Sequence, residues 1–165
     1  MQFRISRAIR VTLKSFGVVL LIAIVVGIVY EQVGQRQDRK RLPQIGRSVD
    51  IGGRSLNIYC SGEGSPTVIL DSGGGNPGYA WAHIQPEIAK FTRACWYDRA
   101  GEGWSDPGPF PRTSAAIAKD LHELLQRAGV PPPYVLVGHS FGGLNARVYN
   151  GLYPNEVASM VLVCT

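Results

Sequence analysis

From Ser15 to Tyr30 the chain carries no charged residue: Ser-Phe-Gly-Val-Val-Leu-Leu-Ile-Ala-Ile-Val-Val-Gly-Ile-Val-Tyr. A helix that crosses a bilayer needs about 20 apolar residues, and extending this run back to Val11 supplies the length. The extension takes in only Lys14, whose ammonium can reach the headgroups while its stem stays in lipid. Tyr30 at the other end suits an interfacial aromatic. The pattern therefore predicts a transmembrane anchor over residues 11–30, a basic tail over 1–14 before it and a linker over 31–47 after it. The linker is assigned because residues 32–47 are polar and show almost no apolar periodicity. A cleaved signal peptide is the rival, since Arg4, Arg7 and Arg10 form a basic start. Against it, the apolar run is long for a signal peptide and no small-x-small cleavage site follows.

Beyond the linker the pattern alternates between short apolar runs and amphipathic stretches over residues 48–165, which predicts an α/β domain built on a mostly parallel sheet. Ser48–Ile51 and Leu56–Cys60 read as two strands joined by a turn at Gly52-Gly53. Thr67–Leu70 is a third strand, and it runs into the loop Asp71-Ser72-Gly73-Gly74-Gly75-Asn76-Pro77-Gly78. Trp81, Ile84, Ile88 and Phe91 fall at helical spacing, with Pro86 leaving room for a kink. Ala94–Tyr97 is a fourth strand. The clearest helix is Ser114–Ala128, with one apolar stripe, a cap at Thr113 or Ser114 and a stop at Gly129. Tyr134–Val137 and Val157–Val163 read as buried strands on either side of a helix over Phe141–Leu152.

The net charge of +5 changes meaning once it is divided along the chain. Residues 1–54 hold ten Lys/Arg against three acids, and residues 55–165 hold seven against nine. The basic excess belongs to the N-terminal segment, so the folded part carries no nucleic-acid footprint. The positive-inside count is tied, with four Lys/Arg in residues 1–14 and four in residues 31–45. The short basic start favours a cytoplasmic N-terminus, a single-pass membrane protein and a folded part outside the cytoplasm. Cys60, Cys95 and Cys164 lack the short spacing of a metal or redox pair and read as small buried hydrophobes.

Gly138-His139-Ser140-Phe141-Gly142 fits G-x-S-x-G, a weak signal until its surroundings are added. A β-branched strand runs straight into it and a helix starts straight after it. A sharp strand-to-helix turn holds a serine hydroxyl proud of the sheet, where a base can reach it. Glycines two residues to either side remove side chains that would collide in such a turn. Ser140 is thus the candidate nucleophile, and the amide of Phe141 a candidate oxyanion donor at a helix N-terminus. A second donor should come from the glycine run, with Gly73 the first choice and Gly74 the second. That loop has no Gly-Lys-Ser/Thr after it and does not read as a phosphate cradle.

Three blocks, Val68–Gly75, Tyr97–Asp106 and Val135–Gly143, together resemble the α/β-hydrolase superfamily, in family order and at family spacing over roughly residues 45–165. The likeness is to its membrane-anchored esterase and peptidase-like members. It implies hydrolysis of a small-molecule ester, amide or related bond through an acyl-enzyme, with no cofactor and no metal. Asp71-Ser72 stands where many members have His-Gly, which bears on how the oxyanion loop is held. Asp98-Arg99 and Trp104-Ser105-Asp106 match a loop that braces the fold. The resemblance further implies a triad acid and a His later in chain order, and no residue of this sequence matches them. His139 should point away from Ser140, His122 should be solvated on its helix, and His83 should lie far from the site. The expectation is an incomplete α/β-hydrolase fold, its first six strands only, inactive by itself. A non-catalytic, membrane-anchored binding module and a half-domain completed by a partner chain are the alternatives.

Overall fold

A computed structural model describes residues 7–164; the side chains of residues 7–11, 35, 39 and 40 lie outside the description, as does Arg4 of the basic tail. The chain divides into two compact units, residues up to Gln44 and residues from Ile45 onward.

The first unit is one helix, α1 (Arg7–Arg41). Residues 12–38 are long and apolar enough to cross a membrane by length and composition. Their large apolar side chains are exposed from Leu13 to Val33. The helix continues past Tyr30, so the polar segment taken as a linker is helical as far as Arg41. Residues 31–41 lack an apolar stripe, but they also lack proline and have a single glycine, so nothing in them stops a helix already nucleated.

The second unit is a six-stranded sheet in the order β1-β2-β4-β3-β5-β6. Its strands are β1 (Arg47–Asp50), β2 (Ser55–Ser61), β3 (Thr67–Asp71), β4 (Ala94–Tyr97), β5 (Tyr134–His139) and β6 (Val157–Val163). The β1–β2 and β2–β4 pairs are antiparallel, and β4–β3–β5–β6 run parallel. The turn between β1 and β2 forms at Gly52-Gly53 as read, because the Asp50 carboxylate accepts from both amides.

Alternation along the strands sends side chains to two cores. On one face Ile69 and Leu136 meet α3 (Ser114–Ala128) and α4 (Phe141–Leu152) through Leu121, Leu124, Leu125, Ala146 and Tyr149. Thr113 caps α3 by accepting from the Ala116 amide at 3.2 Å, and Gly129 ends it at φ 68°. On the other face Val68, Leu70 and Trp96 pack on Trp81.

The stretch read as one helix before β4 is instead a 3-10 turn over Gly78–Trp81 and a short α2 (Gln85–Ile88). Ile84 is 50% and Phe91 85% exposed, so only Trp81 and Ile88 of the supposed stripe face the sheet. Buried Gln85 takes the inward place and donates to the Ala94 carbonyl at 2.8 Å. Strand β6, read as buried, is half exposed, with Val161 49% accessible at the sheet edge.

Two other readings change. Cys60 and Cys95 are opposite partners on β2 and β4 and form a disulfide, leaving Cys164 free and exposed. Sequence spacing hides this because 35 positions separate the two cysteines, and only strand pairing joins them. His122 is only partly solvated: its ring stacks on Tyr153 with centroids 3.9 Å apart, and Nδ1 lies 3.2 Å from Glu156 Oε2.

Candidate active site

The parallel strands bring their C-terminal ends together, and the loops that leave β3, β4 and β5 meet there. Ser140 is the single residue between β5 and α4. Its backbone sits at φ 50° and ψ −117°, a conformation costly for any residue with a Cβ. The turn is held from both sides: the Ser140 amide donates to the Val163 carbonyl, and the Gly143 amide donates to the Ser140 carbonyl, each at 3.0 Å. The serine is exposed, and its hydroxyl does not cap the helix that follows.

Both glycines of the motif are sterically required. A Cβ on Gly138 would lie 2.5 Å from the Gly143 nitrogen, and one on Gly142 would overlap the Asp71 carbonyl. Helix α4 can therefore start directly beneath the β5 turn and abut the end of β3.

The glycine run lies alongside. A Cβ on Gly74 would be 3.7 Å from Phe141 Cβ, so the loop after β3 adjoins the first residue of α4. Among the described residues the amides of Gly73, Gly74 and Phe141 make no hydrogen bond, whereas the carbonyls of Ser72 and Gly73 are both occupied. A Cβ on Gly73 would lie 2.9 Å from His139 Nδ1, which places the His139 ring under the loop. His83 lies exposed in the turn after Trp81. His122 stands against Tyr153, one residue past the far end of α4, and that 12-residue helix is about 18 Å long.

Beneath the loop lies a buried polar network whose role the sequence indicated only as a brace. Asp71 Oδ1 accepts from Arg99 Nη1 at 2.5 Å, and its Oδ2 accepts from the Tyr97 hydroxyl at 3.0 Å and Asn145 Nδ2 at 3.2 Å. Burial raises the Asp71 carboxyl above its ordinary range, while Arg99, Asn145 and Tyr97 pull the other way. Burial also raises Glu102, which pairs with Arg99 at 3.0 Å. Asp98 is caged by the Gly78 amide (2.7 Å), Asn57 Nδ2 (3.0 Å) and the Trp104 amide (2.9 Å). Asp106 ties the same loop to Ser55 at 2.8 Å. These are braces, in keeping with the sequence reading. The readable signal for Asp71 and Arg99 is position: each ends or follows one of two adjacent parallel strands, so they arrive side by side.

A fold with this strand order, a strained serine between strand and helix and a glycine loop beside it defines a class. The alpha/beta hydrolase fold family matches residues 66–165, and the chain belongs to it. Over 157 residues it is 26% identical to the uncharacterised protein YbdG of Bacillus subtilis, covering 94% of this chain and 48% of that one. A thermophilic esterase from Thermogutta terrifontis superposes with a TM-score of 0.64 at 27% identity, over 70% of this chain and 44% of the esterase. Epoxide hydrolase A from Mycobacterium thermoresistibile does so with a TM-score of 0.63 at 28% identity, over 70% and 37%. The chain thus spans about half the length of YbdG and less than half of either enzyme.

Proposed function

We propose that this chain carries the nucleophile and oxyanion half of a membrane-anchored serine hydrolase that cleaves an ester, amide or related bond. The observation that carries the reading is Ser140 held at φ 50° between a parallel strand and a helix N-terminus. Strain of this kind persists where surrounding structure over-determines it, as the close-packed Gly138 and Gly142 do here. In the reaction Ser140 Oγ would attack the carbonyl carbon while its proton passes to a base. The oxyanion would meet the amide of Phe141 and that of Gly73 or Gly74. Collapse would expel the leaving group, protonated by the base, and water would then release the acyl group.

Among the described residues no histidine makes a hydrogen bond to Ser140. On this reading the base is supplied from outside residues 7–164, and the chain should not turn over esters without it. Anchoring through residues 11–30 is supported by the exposed apolar surface of α1. An extracytoplasmic location of the sheet is supported by the Cys60–Cys95 pairing, since disulfides persist in oxidising compartments.

The test is intact-mass analysis after exposure to a fluorophosphonate, with and without imidazole as a surrogate base. The expected result is negligible adduct in plain buffer and one adduct at Ser140 with imidazole, abolished in Ser140→Ala. An adduct elsewhere, or none with imidazole, would overturn the nucleophile assignment. Strong labelling without imidazole would overturn the claim that the base is missing.

A further inference from the structure

Arg99 is 4% exposed and directs its guanidinium to the loop after β3. Nη1 donates to Asp71 Oδ1 at 2.5 Å and to the Ser72 carbonyl at 2.6 Å. Nη2 donates to the Gly73 carbonyl at 2.5 Å and to the Asn76 carbonyl at 3.3 Å. A trans peptide is planar, with its N–H pointing opposite to its C=O. Holding the Ser72 carbonyl therefore aims the Gly73 N–H away from Arg99, and holding the Gly73 carbonyl does the same for Gly74.

The same pair reaches the other half of the site. The Arg99 guanidinium carbon lies 5.6 Å from the centre of the Phe141 ring. Asp71 accepts from Asn145, one turn into α4, at 3.2 Å. Stability is a poor reason for such an arrangement, because the desolvation cost of a buried ion pair roughly cancels its attraction. Fixing geometry is a better one: the planar fork of arginine can hold several carbonyls at once, which a lysine ammonium on a flexible stem cannot.

We infer that Arg99, seated on Asp71, is a positioning residue that sets the Gly73 and Gly74 amides and the start of α4 as one oxyanion-binding unit. This rests on Ser140 being the nucleophile. Arg99 touches no reacting atom; it acts through the backbone.

The experiment compares the wild-type chain with Arg99→Lys and Asp71→Asn, each full length in detergent. In the labelling reaction the Ser140 Oγ–P bond forms, fluoride leaves with the P–F electron pair and imidazole takes the hydroxyl proton. Hydrogen exchange by mass spectrometry reads the peptide covering residues 72–77 against those covering β3 and β5. Arg99→Lys should slow imidazole-assisted labelling on the order of 100-fold, the scale of losing an oxyanion donor. Exchange should rise in 72–77 and stay unchanged in the strands, a separation that a merely structural role would not give. Asp71→Asn should act in the same direction, more weakly. Labelling within about twofold of wild type in Arg99→Lys, or exchange rising equally in loop and strands, overturns the inference. If the wild type gives no Ser140 adduct, the nucleophile reading itself has failed and the inference falls with it.

Discussion

Cys60 on β2 and Cys95 on β4 stand directly opposite one another in an antiparallel pair and are covalently joined, with their Cα atoms 4.1 Å apart. Cys95 is fully buried and Cys60 lies at an exposed position. The bond fastens the antiparallel β1–β2 hairpin to the parallel part of the sheet.

The pair carries a topological prediction. Protein isolated from cells without reductant should show one thiol reactive toward a maleimide-polyethylene glycol, Cys164, and three after reduction and denaturation. Three reactive thiols under denaturing, non-reducing conditions would place the sheet in a reducing compartment. The Cys60→Ser, Cys95→Ser double variant should lose about 4 kcal/mol of stability, the chain-entropy value for a 35-residue separation.

Ser140 trades stability for geometry. Replacing it by glycine gives the residue that accepts φ 50° most readily. Ser140→Gly should raise the denaturant midpoint by an amount equivalent to on the order of 1 kcal/mol while abolishing adduct formation. A midpoint equal to or below wild type would mean the turn is unstrained.

Gly142 leaves no room for a methyl group, because a Cβ there overlaps the backbone of Asp71 and Ser72. Gly142→Ala should cost about 1–3 kcal/mol, since backbone at a strand end cannot yield as a flexible side chain would. Gly151→Ala in the same helix, where a Cβ meets nothing, should be neutral or slightly stabilising and serves as the control.

Alkaline pH should unfold the domain early. Burial raises the Tyr97 hydroxyl, aided by the Asp71 charge, and pushes Tyr134 up to about 12. It raises Tyr149 as well, helped by the bond to Glu156. Unfolded tyrosines titrate near 10, so above that pH the unfolded state loses protons that the folded state keeps. Stability is therefore complete below pH 10 and falls as pH rises toward the folded values. Thermal melts from pH 8 to 11.5 should show this decline together with tyrosinate absorbance. A flat profile would contradict it.

The glycine-flanked serine, the strand before it and the helix after it were legible because each is local. The steric limit at Gly138, the cap at Thr113 and the stop at Gly129 act within a few residues, whereas that at Gly142 is set by Asp71 and Ser72 at the end of β3. The helix proposed before β4 failed because helical spacing cannot say whether Ile84 and Phe91 have anything to pack against. His122 was misplaced for the same reason: its partners, Tyr153 and Glu156, lie more than thirty positions away.

The sequence by itself determined the apolar N-terminal helix, the α/β alternation and Ser140 as the candidate nucleophile, since all three depend on neighbours in the chain. The tertiary structure alone decided that Cys60 meets Cys95 and that Arg99 reaches under Gly73. Both follow from which strands lie side by side, and strand order is a property of the whole sheet rather than of any segment of it.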